Sequence, residues 1–121
     1  MNQVKLGIVE EKFARIIWEH EPLSSGELVS LCEKELNWKK STTYTVLRKL
    51  CDKGIFQNRH GMVTSVVSEK EYFSIQSKAF VDDTFHGSLP AFIASFTRKA
   101  KLTDKEISEI HRIIDQYKEK K

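Results

Sequence analysis

Cysteine is scarce: Cys32 and Cys51 are the only two in 121 residues. Both fall inside expected helices among apolar neighbours, the usual setting of reduced structural thiols. A disulfide framework and a CxxC redox or metal pair are thereby excluded, and nothing local marks either thiol as an exposed, low-pKa redox sensor. The histidines at 20, 60, 86 and 111 lack HExxH spacing, and no glycine-rich phosphate loop occurs. These absences argue against an enzyme and call for no metal or cofactor. Two prolines and five glycines are too few and too dispersed to make a linker, and there is no internal repeat. No apolar run approaches the ~20 residues a membrane helix requires. The opening MNQVKLGIVEEKF carries acids and lacks both the apolar core and the small-residue cleavage site of a signal peptide. A cytoplasmic location is expected.

What is there describes a globular chain, with 40% hydrophobic and 31% charged residues. It is long enough for one domain or for two small units, and a unit of roughly 50 residues usually needs a partner to be well ordered. Dimerisation is the expected remedy. The formal net charge of +3 says little, but its distribution says more. Up to Trp38, four basic residues (Lys5, Lys12, Arg15, Lys34) face seven acids (Glu10, Glu11, Glu19, Glu21, Glu27, Glu33, Glu35). From Lys39 to Arg59, six basic residues (Lys39, Lys40, Arg48, Lys49, Lys53, Arg59) face Asp52 alone. That stretch is suited to an anion.

Val9, Phe13, Ile16 and Ile17 recur at helical spacing and predict a first helix ending at Pro22. Ser24 and Glu27 form a capping box for a second, with Leu28, Leu31 and Cys32 as its apolar stripe. In WKKSTTYTVLRKLCDKG, Ser41 or Thr42 can cap a third helix whose inward stripe is Thr43, Val46, Leu47 and Leu50, with Gly54 at its C′ position. Ser41, Tyr44, Thr45, Arg48 and Asp52 then line the outer face, bordered by Thr42 and Lys49. IFQNRHGMVTSVVS follows, rich in β-branched residues and broken at His60-Gly61, which predicts two short strands and a tight turn. Three helices and a hairpin is the order of a winged helix. Beyond Ser68 the pattern is helical again, with capping boxes at Ser68/Glu71 and Thr103/Glu106 and a cap at Ser88.

The predicted fold is mainly α: a winged helix-turn-helix over residues 1–68 with a small β-hairpin wing, and a C-terminal three-helix dimerisation region over residues 69–121. The C-terminal helices carry Phe73, Phe80, Leu89, Phe92, Ile93, Phe96, Ile107, Ile110, Ile114 and Tyr117. That is more apolar surface than three short helices can hide, and a second copy is the simplest cover.

For the helix at 41 to 53, the functional reading is a recognition helix in the major groove of double-stranded DNA. The plainer reading is a solvated amphipathic helix whose basic end complements its dipole; its position between a helix pair and a hairpin favours DNA. Arg59 and His60 at the hairpin tip either reach the minor groove or touch its phosphates, unless they are simply solvated. Trp18 and Trp38 are read as packing residues. Two rivals stand beside a DNA-binding repressor: a small-ligand-responsive winged-helix regulator and a winged helix used for protein interaction.

The segments EEKFARIIWEHEPLSSGELV, WKKSTTYTVLRKLCDKGIF and FIASFTRKAKLTDKEISEI resemble the penicillinase-repressor family, the BlaI/MecI-type regulators, over nearly the whole chain. The resemblance implies a homodimer on a dyad operator, often with TACA/TGTA half-sites, that represses β-lactam resistance or related genes. Base contacts would fall on Ser41, Thr42, Tyr44 and Thr45. Ser41 and Tyr44 stand where the best-known resistance repressors have Lys and Arg, so the operator sequence does not carry over. Release in the family follows proteolysis triggered by a membrane sensor, commonly at an Asn-Phe bond. The aligned pair here is Ser95-Phe96, with Phe96 open to a plain core role as well. Copper-responsive relatives bear a C-terminal cysteine cluster that this tail lacks.

Overall fold

A computed structural model describes residues 5–120. Its elements run α1 (Ile8–His20), β1 (Leu23–Ser24), α2 (Ser25–Leu36), α3 (Lys40–Asp52), β2 (Phe56–Arg59), β3 (Met62–Ser65), α4 (Glu69–Phe85), α5 (Leu89–Thr97) and α6 (Asp104–Glu119). This is the expected winged helix followed by C-terminal helices.

Local signals set the helix ends. Gly7 precedes α1, and its N–H donates to the Glu10 carboxylate at 3.0 Å. At α2 the capping box is complete: Glu27 N–H donates to Ser24 Oγ (3.0 Å) and Ser24 N–H to Glu27 Oε1 (2.8 Å). Asn37, at φ 57°, closes α2 in the left-handed region that asparagine tolerates. Neither Ser41 nor Thr42 caps α3. The N-cap is Lys39, with no side-chain cap bond, because extended backbone after Asn37 starts the helix earlier. Gly54 does lie one residue past the C-cap, at φ 84°.

The wing is a three-stranded antiparallel sheet in the order β1-β3-β2. β2 and β3 pair Arg59 with Met62 around a two-residue turn, with His60 at φ 54° and Gly61 at φ 81°. Both central residues are left-handed, as a type I′ turn requires. The third strand, two-residue β1, was not expected; Leu23 pairs with Val63 and Ser24 with Met62.

Phe13, Ile17, Leu28, Cys32, Leu47, Leu50, Ile55, Phe56 and Val63 form the winged-helix core. Val9, placed by its spacing in the stripe of α1, is instead 54% exposed, and Leu6 and Ala14 are buried alongside Phe13. Trp38 stacks on Phe13 at 5.5 Å, and Trp18 donates from Nε1 to the Val67 carbonyl at 3.0 Å, so both are packing residues. Tyr72 on α4 is fully buried in this core, and its hydroxyl donates to Glu11 Oε2 at 2.9 Å. Burial, reinforced by that carboxylate, pushes the Tyr72 phenol up to about 12.

Phe73, assigned from sequence to the dimer surface, lies edge-on to Tyr72 at 5.1 Å and under the Arg15 guanidinium. It packs against the first core. The chain accordingly divides into two compact units inside α4, at Ala79/Phe80, later than the change of architecture near Ser68. In the second unit, Phe80, Phe85 and Phe92 meet edge-to-face at 5.6–5.9 Å, and Phe96 continues the cluster.

Among the described residues, one buried side-chain oxygen lacks a partner. Thr43 is buried, and its Oγ1 reaches no partner in hydrogen-bond geometry, with only the weakly interacting Cys32 thiol near it. An unsatisfied buried hydroxyl costs about 1–3 kcal/mol. Thr43→Val is therefore expected to raise the urea midpoint by an amount equivalent to about 1 kcal/mol. A lowered midpoint would mean that the hydroxyl has a partner to lose.

Candidate nucleic-acid interface

Period and packing together create the outer face of α3. Thr43, Leu47 and Leu50 point inward, which leaves Ser41, Thr42, Tyr44, Thr45, Arg48 and Lys49 exposed along one side. Arg59 and His60 are exposed at the wing tip. Ser25, at the start of α2, joins the two. Its N–H donates to the Gly61 carbonyl at 2.8 Å, and its Oγ accepts from the Tyr44 hydroxyl at 3.2 Å. Sequence reasoning passed over Ser25. The available signal was a second serine directly after the capping Ser24, with no role in the cap.

Two of the four hydroxyls on this face, those of Tyr44 and Thr45, donate within the protein. Thr45 Oγ1 donates back to the Ser41 carbonyl at 2.9 Å, a helical i−4 bond. Lys40 Nζ lies 6.0 Å from the centre of the Tyr44 ring, near the limit of a cation–π contact.

The two flanks of α3 differ electrostatically. Arg48 is exposed and borders a small cavity of about 290 Å³ with Tyr44, Leu47, Cys51 and Asn58. Lys49 instead pairs with Glu10 on α1 at 2.8 Å, and Lys53 reaches the same carboxylate at 3.6 Å and the Lys5 carbonyl at 3.3 Å. The Lys49 ammonium, then the Gly7 N–H, hold the Glu10 carboxyl below the usual carboxylate range; Lys53 helps and partial burial opposes. A carboxyl lowered on folding stabilises the fold above its unfolded pKa, and that contribution disappears as pH falls through the folded value. Glu10→Gln should thus be less stable than wild type near neutral pH, with the gap in urea midpoint closing under acid. A gap that persisted in acid would show the tie to be steric.

Burial pushes the Cys32 thiol up to about 11, with the Thr43 hydroxyl opposing, and burial followed by the Asp52 charge raises Cys51. Neither environment favours a thiolate.

In the second unit Leu89, Ile93, Phe96, Ile107, Ile114 and Tyr117 are exposed, while Phe92 and Ile110 are half-buried. Phe80 is also exposed beside its aromatic neighbours. Ser95 and Phe96 lie in the last turn of α5, both exposed. Among the described residues there is no cluster of three or more His, Cys, Asp or Glu able to hold a metal, and no helix is long and apolar enough to cross a membrane.

Three helices, a short sheet and an exposed polar face on α3 define a winged helix-turn-helix protein. The chain belongs to the penicillinase repressor family, whose model matches residues 6–116, and it is a transcriptional repressor of that family. It is 26% identical to the penicillinase repressor of Bacillus licheniformis over 116 residues, covering 93% of this chain and 91% of that protein. It is 22% identical to the methicillin resistance regulatory protein MecI of Mammaliicoccus sciuri and of Staphylococcus aureus, over 93% of this chain and 94% of theirs.

Proposed function

We propose that the protein binds a dyad DNA operator as a homodimer and represses by occluding the promoter. The observation that carries this reading is the exposed face of α3, hydroxyl-rich at its N-terminal end and basic beyond, joined through Ser25 to a wing with Arg59 and His60 at its tip. Tyr44, Thr45, Ser41 and Thr42 meet base edges in the major groove. Arg48, Arg59 and His60 hold phosphates, and Lys49 joins them by exchanging Glu10 for phosphate.

Dimerisation uses the apolar surface of α5 and α6, supported by the exposure of Leu89, Ile93, Phe96, Ile107 and Ile114 in a single chain. The recognition helices of the pair then enter successive major grooves about 34 Å apart. Relatives named for penicillinase and methicillin resistance support β-lactam resistance or related genes as the targets, and a cytoplasmic site of action follows from that role. Release by a membrane sensor protease cutting at Ser95-Phe96 is the family-based part of the reading. A helical bond must unwind before a protease can bind it in extended form, so cleavage there would also dismantle α5.

A mobility-shift titration on the DNA upstream of the gene tests the reading. Tight binding to that fragment and weak binding to a scrambled one is expected; equal binding to both would refute sequence-specific repression. Arg48→Ala should weaken binding to both fragments and flatten the salt dependence by about one counterion per protomer. An unchanged slope would remove Arg48 from the phosphate contacts.

A further inference from the structure

We propose that the centre of the α3 face reads thymine through its 5-methyl group, with the Tyr44 ring and the Thr45 γ-methyl as the apolar contacts and Ser25 positioning Tyr44. This inference rests on the DNA-binding reading above and adds the chemistry by which a base is chosen.

It starts from two protons already in use. The Tyr44 hydroxyl donates to Ser25 Oγ, and the Thr45 hydroxyl donates to the Ser41 carbonyl. In the major groove guanine offers only acceptors, adenine an acceptor and a donor, cytosine a donor, and thymine an acceptor beside a methyl group. A side chain whose proton is committed inside the protein must break that bond before it can donate to guanine or to the thymine oxygen. Their oxygens can still accept from an amino group of adenine or cytosine; toward guanine and thymine, what Tyr44 and Thr45 present without rearrangement is carbon. The natural complement of carbon on a base edge is the thymine methyl.

Geometry keeps Tyr44 in that presentation. Ser25 is anchored by its N–H to the Gly61 carbonyl at 2.8 Å, so the acceptor of the Tyr44 proton is tied to the wing turn. Lys40 Nζ stands 6.0 Å from the ring centroid, and Tyr44 remains 36% exposed. A tyrosine tethered at its tip loses less conformational freedom on binding than a free one. Ser25 is thus a positioning residue, and it does not itself read a base.

The test uses the upstream fragment amplified with either dTTP or dUTP, since uracil differs from thymine only by the missing methyl. Wild type should bind the uracil fragment more weakly, by roughly fourfold for each buried methyl group removed and on the order of tenfold for two half-sites. Tyr44→Phe, which keeps the ring but loses the bond to Ser25, should shrink this thymine-to-uracil ratio about as far as Ser25→Ala does and less than Tyr44→Ala. Tyr44→Ala should shrink it, and so should Thr45→Ser, which removes only the γ-methyl. Ser25→Ala should shrink the ratio with its urea midpoint unchanged, and Ser25→Thr, which keeps the acceptor oxygen, should restore it.

Specific binding that is equally tight on uracil overturns the inference, as does a uracil penalty in Tyr44→Ala as large as in wild type. A Tyr44→Phe variant that behaves like Tyr44→Ala would make the hydroxyl the reader and overturn it too. Equal binding of wild type to the upstream and scrambled fragments defeats the underlying DNA reading, and this inference with it.

Discussion

Replacing Ile93 and Ile114 together by aspartate is expected to leave the protein folded but monomeric at micromolar concentration, and to lower its affinity for dyad DNA by about 10²–10⁴-fold. Both side chains project from a single chain, 39% and 48% exposed, so neither substitution opens a cavity within the protomer. In a dimer the same positions would be covered. Burying an isoleucine side chain contributes roughly 1.5–3 kcal/mol, and a symmetric interface uses each position twice. Aspartate removes that gain and adds a carboxylate that resists desolvation. On the proposed dimeric reading, the DNA effect is larger than the removal of a single DNA-binding side chain would produce, because two linked recognition helices would bind the second half-site at high effective concentration. Sedimentation velocity reports the oligomeric state and a mobility shift the affinity. A double variant that stays dimeric would put the interface elsewhere.

Phe13→Ala is expected to cost about 3–5 kcal/mol, a large share of the total stability of a small domain. Phe13 is wholly buried at the centre of the winged helix and stacks on Trp38, two residues before α3 begins. Truncation leaves a cavity among the surrounding aliphatic side chains and removes the ring that supports the turn between α2 and α3. DNA binding should fail with stability, since the proposed recognition face depends on the seating of α3. Urea denaturation followed by tryptophan fluorescence measures the loss, and Trp38 itself reports on the site. A loss below about 1 kcal/mol would mean that the core collapses around the gap.

The remaining effects are local by comparison. The Glu10 tie to Lys49 and Lys53 acts at a partly solvated edge, where water and salt weaken an ion pair. Thr43 concerns one hydroxyl.

The order of elements was legible in the chain before any coordinates, because it depends on local chemistry. Periodic apolar residues define α1 and α3, the Ser24/Glu27 and Thr103/Glu106 boxes start α2 and α6, and His60-Gly61 meets the left-handed geometry of its turn. The basic, hydroxyl-bearing face of α3 follows from the same periodicity, since burying one stripe exposes the other.

Long-range packing decided the rest. β1 is too short to carry a signal of its own and exists because Leu23 and Ser24 lie beside β3. Val9 satisfies the spacing of a buried residue yet faces outward, and Phe73 joins the first core because its neighbour Tyr72 is drawn in by Glu11 and Trp18. Ser25 gains its place between the wing and Tyr44, and Glu10 its hold on two lysines of α3, only when segments far apart in sequence meet. Periodicity tells a residue which side of its own element it occupies. Which partner waits on that side, and whether a hydroxyl or an ammonium is still free to meet a ligand, is settled only by the elements that pack around it.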